Sequence, residues 1–455
     1  MLELLAAAVL SQAPITLQAL VPTSGTSAEA LLDGKAASGW KPEGDSEGEG
    51  VLFRFEGEAP VAKVNVEGCG AGRLTLTPFI NGTEYSQVSF DKKTTVAIVS
   101  SKKVRSVFLR IDDAGTTACV GEVSFLADKD KPLEVRAPRG LNATAKASSV
   151  LAPADAYHPG YLFDGRLDFG WVEGVKGPGI GESMALTFTA PVSLTAIELW
   201  NGYQRSDDHF KKNARAKKIT ITVDGTDPIE FAVKDAQGPQ KLAFPKPVST
   251  KSLTLTIKEA YPGTKYDDLV LSELRVWDAE GPRAIVTNDL NERAKAMKTE
   301  IDGGPLKGFV DKTLRAVCQV SGYELEAKFR TNHSFVVYRS ADEDTGTVKE
   351  VLDGTWIMKD GKTVELFGRS HRNEMTFDPY ADPDGKETTS ITGGALKVTR
   401  VGDLKKADYD ALVTKFTTGP LKWSFDCDKV KKFDTLAASG AYVVEGRAVT
   451  AILTP

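Results

Sequence analysis

Apolar and polar residues alternate with period two over much of the chain. In the middle third the pattern is clearest in LTAIELW (194–200), KKITITV (217–223), SLTLTIKEA (252–260) and LSELRVW (271–277). These runs are short, rich in β-branched residues and separated by Gly, Pro and Asp, which predicts an antiparallel sandwich. The last third repeats the habit in YELEAKF (323–329), SFVVYRS (334–340), TVKEVLDGTWIMK (347–359), KTVELFG (362–368) and ALKVTRV (395–401). An Asp360-Gly361 turn there predicts a hairpin, and AYVVEGRAVTAIL (441–453) reads as two closing strands. Helical spacing is scarce. Leu290, Ala294, Met297 and Ile301 share one face of a helix over 289–301, and 407–413 is a second candidate.

The alternation also exposes a repeat. LLDGKAASGW (31–40) matches LFDGRLDFGW (162–171), with the same Asp-Gly to Trp spacing. Each copy then enters a strand (51–55 and 184–188) and closes on another (GEVSF, 121–125, and SELRV, 272–276). Repetition assigns Trp40 and Trp171 to the core beneath their loops. The chain therefore divides into a degenerate first copy (14–127), a charged Pro-containing linker (128–141), a central module (142–279) and a β-rich third domain (285–455). Residues 1–13 carry the apolar run 4–10 and end Ser-Gln-Ala, which reads as a signal peptide and predicts a secreted or periplasmic protein.

Composition narrows the function. A net charge of −5 over 455 residues argues against a nucleic-acid partner. No apolar run approaches the roughly 20 residues of a membrane span. The four cysteines fall as Cys69 with Cys119 and Cys318 with Cys427, one pair in each outer third, which predicts two disulfides within domains. No CxxC, HExxH or GxSxG occurs.

Several separated segments carry a resemblance. They are FDG at 163–165, WVEGVKGPGIGE at 171–182, NGYQ at 201–204, Asn213, Arg215, Lys218, YPGTKYDD at 261–268 and SEL at 272–274. Residues 142–278 are similar to discoidin-type (coagulation factor type C) sandwiches, and more narrowly to the glycan-binding module of streptococcal NAD-glycohydrolase toxins. The catalytic part of those toxins has no counterpart here. The fold expected is two tandem discoidin-like sandwiches of jelly-roll type, followed by a small lipocalin-like barrel with one or two helices. The resemblance also raises structural calcium, with Asp164, Asp168 and Glu273 as ligands. Arg166, and Lys35 in the first copy, favour instead a cation that replaces the ion. No other cofactor is expected.

The function expected is non-enzymatic glycan binding by end loops of the central module. Sugars are held by aromatic stacking and a few fixed polar groups. The candidates are Tyr203 and Tyr266 for stacking, Asn201 and Gln204 for orientation, and Arg205, Arg215 and Lys265 for charge; Trp200 ends an apolar strand and is a core alternative. Between Arg205 and Lys218 stand six basic and two acidic residues, which suits an acidic glycan or simply a solvated face. The alternative for NGYQ is structural, with Asn201 and Gln204 bonding loop backbone. Glu173 and Glu182 flank the glycine loop as a carboxylate pair, but no accompanying nucleophile supports a glycosidase. The competing classes are an envelope or adhesion component whose third domain binds proteins, and an envelope hydrolase with its active site in that domain.

Overall fold

The protein is described here from a computed structural model, which describes residues 14–455 except 26–27, 71, 82, 98–102, 114–117, 153, 155, 168, 225, 305, 320–323, 344–345, 359–362, 374–388, 419–431 and 446–449. The signal-peptide reading and the Asp360-Gly361 turn therefore lie outside the described residues. The chain forms two compact units, one holding most of residues 14–138 and the other residues 139–455.

The first unit is a sandwich of a seven-stranded and a four-stranded sheet. Alternation supplies its core: Val51, Phe53 and Phe55 from one sheet meet Val64, Val66, Val123 and Phe125 from the other. The Phe125 ring stands edge-on to Phe53 and Phe55, with centroids 5.5 and 5.4 Å away. Cys69 and Cys119 are joined by a disulfide, with Cα atoms 5.1 Å apart.

The stretch read as a linker is not one. Pro132–Leu133 pairs with the strand Val120–Leu126, and Val135–Arg136 pairs in parallel with Ile15–Pro22. Leu133 is buried in the first core. Its charged neighbours, which suggested a linker, are the outward half of a short closing strand.

In the second unit, residues 139–286 form one eight-stranded sheet folded into a sandwich. The long strands Ser183–Asn201 and Pro239–Tyr261 serve both layers, bending where their register shifts. Pairing extends beyond 142–279. Arg139–Asn142 runs parallel to Arg283–Val286, the counterpart of the parallel pair that closes the first unit. The core lies between the layers, with Trp171, Leu186, Ile197, Leu199, Ile219, Ile221, Leu255, Leu274 and Val276 all buried.

Eight strands between Thr313 and Thr454 close a barrel, as Thr450–Thr454 pairs back onto Thr313–Gln319. Phe309, Phe329, Trp356 and Tyr442 fill its interior. The predicted hairpin exists: Gly346–Met358 pairs with Thr363–Asn373. Among the described residues, three helices accompany the barrel where one or two were expected: Asp289–Asp302, Lys406–Thr418 and Phe433–Ser439. The third is too short to show a helical period. It stops at Gly440, whose φ of 77° makes it a left-handed helix end. Cys318 is also disulfide-bonded, while Cys427 lies outside the described residues.

Replacing Cys69 and Cys119 together by Ser is expected to destabilise the first unit by about 4 kcal/mol in the chain-entropy picture. Calorimetry should show one thermal transition moved to lower temperature and the others unmoved. A trace identical to wild type would mean that the bond does not staple this sandwich.

Candidate functional site

The two copies share a bonding scheme. In each, the Asp of the Asp-Gly loop accepts the N–H two residues on: Lys35 to Asp33, and Arg166 to Asp164, both at 2.8 Å. In each, the Gly N–H donates to a glutamate of a matching strand: Gly34 to Glu122 on Val120–Leu126, and Gly165 to Glu273 on Val270–Asp278, both at 3.0 Å. The buried Trp donates its Nε1–H to a serine carbonyl, Trp40 to Ser24 and Trp171 to Ser149. A hydroxyl also bonds a glutamate in both, Thr23 to Glu49 and Ser148 to Glu182.

The Asp-Gly loop bears on calcium. Asp164 and Glu273 each hold a backbone N–H, and the Arg166 guanidinium lies 4.0 Å over the Phe169 ring. Asp168 is outside the described residues. Among the described residues no three His, Cys, Asp or Glu side chains gather as a metal site. The two described carboxylates alone supply fewer oxygens than the roughly six to eight that calcium takes. Thermal melts with calcium and with chelator should therefore superimpose; a rise with calcium would restore the ion.

Glu173 and Glu182 are each engaged in hydrogen bonds around the glycine loop. Glu173 is fully buried and accepts the N–H groups of Val175 and Leu269. Burial pushes its carboxyl above the usual range, opposed by those two donors. Glu182 is held by the hydroxyls of Ser148 and Ser149. Both shape the glycine loop from beneath. Gly179 is one requirement of that loop: its φ is +66°, and a Cβ there would come within 2.6 Å of Glu173.

The end loops differ most between the copies. In the first, the Cys69 N–H donates to the Cys119 carbonyl at 3.1 Å beside the disulfide. The central module makes the same bond from Gly202 to Val270, also at 3.1 Å, after an equivalent register shift. Two loops leave from this point instead of a cystine. One runs through Tyr203 and the helix Asp207–Lys212, capped by Ser206; the other is 262–268. They are stitched together, because Thr264, Lys265 and Tyr266 donate N–H groups to the carbonyls of Lys211 and Lys212.

Several predicted binding residues prove to be framework. Asn201 is fully buried; its Nδ2 donates to the carbonyls of Ala216 and Lys234, and its Oδ1 accepts from Ala216 N–H. Gln204 is 1% exposed and bridges the Asn201 carbonyl to Gly238 N–H. Arg215 grips Asp235 through two bonds of 2.8 Å and reaches the carbonyls of Asn213 and Pro262. Its guanidinium lies 5.2 Å from the Phe210 ring. None of the three presents its polar atoms to a ligand; a buried amide or guanidinium with its bonds filled has none to offer. Trp200 is 1% exposed and belongs to the interior.

The others lie on the two stitched loops. Tyr203 is half-buried, with its ring edge-on to buried His209 at 5.1 Å, and Arg205 Nη1 lies 3.4 Å from its hydroxyl. Lys265 is exposed and its Nζ sits 5.1 Å over the half-buried Tyr266 ring. A residue not foreseen joins them. Burial pushes the Tyr157 hydroxyl above the usual phenol range, and Tyr203, Arg205, Asp268 and Tyr266 are the groups acting on it electrostatically. Tyr157, in DAYHPG, was discoverable as a third aromatic beside a turn. The cluster thus draws on three separate segments: 157, 203–205 and 265–268.

Residues 137–277 match the family model described as the NAD glycohydrolase translocation F5/8 type C domain. This middle segment is a discoidin-type sandwich. No curated protein matches the chain. Among solved structures it is similar to the CBM32-1 and CBM32-2 domains of Clostridium perfringens ZmpB in complex with GalNAc, at 11% identity and TM-score 0.24, covering 57% of this chain and 89% of that one. The family 32 CBM of C. perfringens NanJ in complex with galactose is similar at 16% identity and TM-score 0.25, over 30% of this chain and 92% of that one. The mycobacterial arabinofuranosyltransferase AftD is similar at 12% identity and TM-score 0.26, over 79% of this chain and 38% of that one.

Asn201→Ala should destabilise the protein by about 2–3 kcal/mol, because Ala216 would keep a buried N–H and C=O without partners. Urea unfolding would show the loss. A variant as stable as wild type would mean that water replaces the amide and that the loops do not depend on it.

Proposed function

We propose that the central sandwich binds a glycan at the cluster of Tyr157, Tyr203, Arg205, Lys265 and Tyr266. One observation carries this reading. Two loops distant in sequence are bonded backbone to backbone, and their half-buried tyrosines share one electrostatic neighbourhood with a buried arginine. Tyrosine faces stack on the apolar face of a sugar, and fixed polar atoms bond its hydroxyls. Asn201, Gln204 and Arg215 hold the loops in register and do not touch the sugar. Arg205 and Lys265 suit an acidic residue on the glycan, with Asp268 tempering the charge. The family match over 137–277 supports a binding domain, and the structural commitment of Glu173 and Glu182 supports binding without hydrolysis.

The disulfides support an oxidising compartment, hence a secreted or periplasmic protein. Among the described residues no helix is long and apolar enough to cross a membrane. A single site of this size binds weakly, so multivalent display is the expected setting. On a glycan array, Tyr203→Ala and Tyr266→Ala should each lose about tenfold of the wild-type signal with their thermal melts unchanged. Retained binding in both variants would place the sugar elsewhere, and silence of the wild type on the whole array would count against glycan recognition itself.

A further inference from the structure

We propose that His158 is a positioning residue for this site, and that its ring must be neutral to hold Tyr157 in place, so that glycan binding falls in acid. The inference rests on the glycan-binding reading above for its functional part, and on separate geometry for the rest.

His158 caps the short turn Pro159–Leu162. Its Nδ1 accepts the Gly160 N–H at 3.0 Å. A nitrogen that accepts carries no proton, so this bond exists only with the ring neutral and its hydrogen on Nε2. The Tyr161 N–H returns to the His158 carbonyl and the Phe163 N–H to the Gly160 carbonyl, both at 3.0 Å. The turn is wedged on both sides. Tyr161 stacks on Phe169 with centroids 5.0 Å apart, and at Gly160 even a Cβ would come within 2.8 Å of Leu290. Tyr157 is the residue immediately before the cap, so the direction in which it leaves the turn is set by the conformation of His158.

The surroundings disfavour a charged ring. Burial lowers the His158 pKa below the ordinary imidazole value, Asp289 on the helix Asp289–Asp302 opposes this, and His333 on a barrel hairpin adds to it. His333 is itself lowered to about 4, chiefly by burial and further by Arg293, while its bond to the Trp356 carbonyl opposes the shift. The sign follows. A histidine whose folded pKa is depressed contributes fully above the unfolded value of about 6.5, and that contribution is lost as the pH falls toward the folded value. A proton forced onto Nδ1 ends the bond to Gly160 and frees the turn that aims Tyr157.

The test uses the full chain on a glycan array at about pH 7.5 and about pH 5. His158→Asn keeps an acceptor that caps well and does not titrate; His158→Leu keeps bulk and removes the acceptor. The wild-type signal should be lost progressively as the pH is lowered toward about 5. His158→Asn should bind alike at both values, and His158→Leu should be weak at both. Hydrogen exchange on the unliganded proteins reads the cap without any sugar. The amides of 160–163 should be protected in wild type at the higher pH and in His158→Asn at both, and should exchange faster in His158→Leu. If His158→Asn loses binding in acid as wild type does, the titrating group lies elsewhere and the proposal falls. It also falls if His158→Leu binds and exchanges like wild type. An array silent for every protein would sink the glycan reading alone, and the exchange pattern would still judge His158.

Discussion

The candidate site hangs on one buried amide. Asn201 ends a long strand, and its side chain does what a neighbouring strand would do. It gives and takes a hydrogen bond with Ala216 and adds a third bond to Lys234. Three segments that leave the sheet in different directions are thereby held at one point. A buried amide must fill its bonds or incur a penalty of a few kcal/mol, so the geometry is specific rather than approximate. Gln204 and Arg215 extend the frame to Gly238, Asp235 and Pro262. Only after this framework is complete do Tyr203, Tyr266 and Lys265 remain at the surface.

Much of the fold was legible because strand period and turn chemistry agree. Trp40 and Trp171 could be assigned to the core from their matched spacing, and both are fully buried. The helix over 289–301 was legible from four residues on one face, and the hairpin from the two alternating runs that pair in it. The closing strand at 132–136 was not. Two paired residues at a time carry no period, and the charges around Leu133 point outward.

The polar residues around the NGYQ loop were misread, for a physical reason. Asn, Gln and Arg have the same donors whether they face a sugar or a backbone carbonyl. Local sequence does not reveal which, because burial of Asn201 is decided by residues 216 and 234, and that of Arg215 by 235 and 262. The tyrosines were easier, since an aromatic ring among turn residues has little local use. The same logic applied to Tyr157 would have completed the set. The third domain's interior was legible only as alternation, and the barrel's closure depends on the pairing of its first and last strands.

The cystine of the first sandwich stands where the central one opens into its loops. One copy closes that pole covalently; the other closes it with hydrogen bonds alone and has no sulfur to lose. A reducing environment would therefore slacken the flanking domains, both of which contain a bonded cysteine, and leave the central sandwich, which has no cysteine, without such a bond to lose. The two sandwiches of this chain answer to different chemistry.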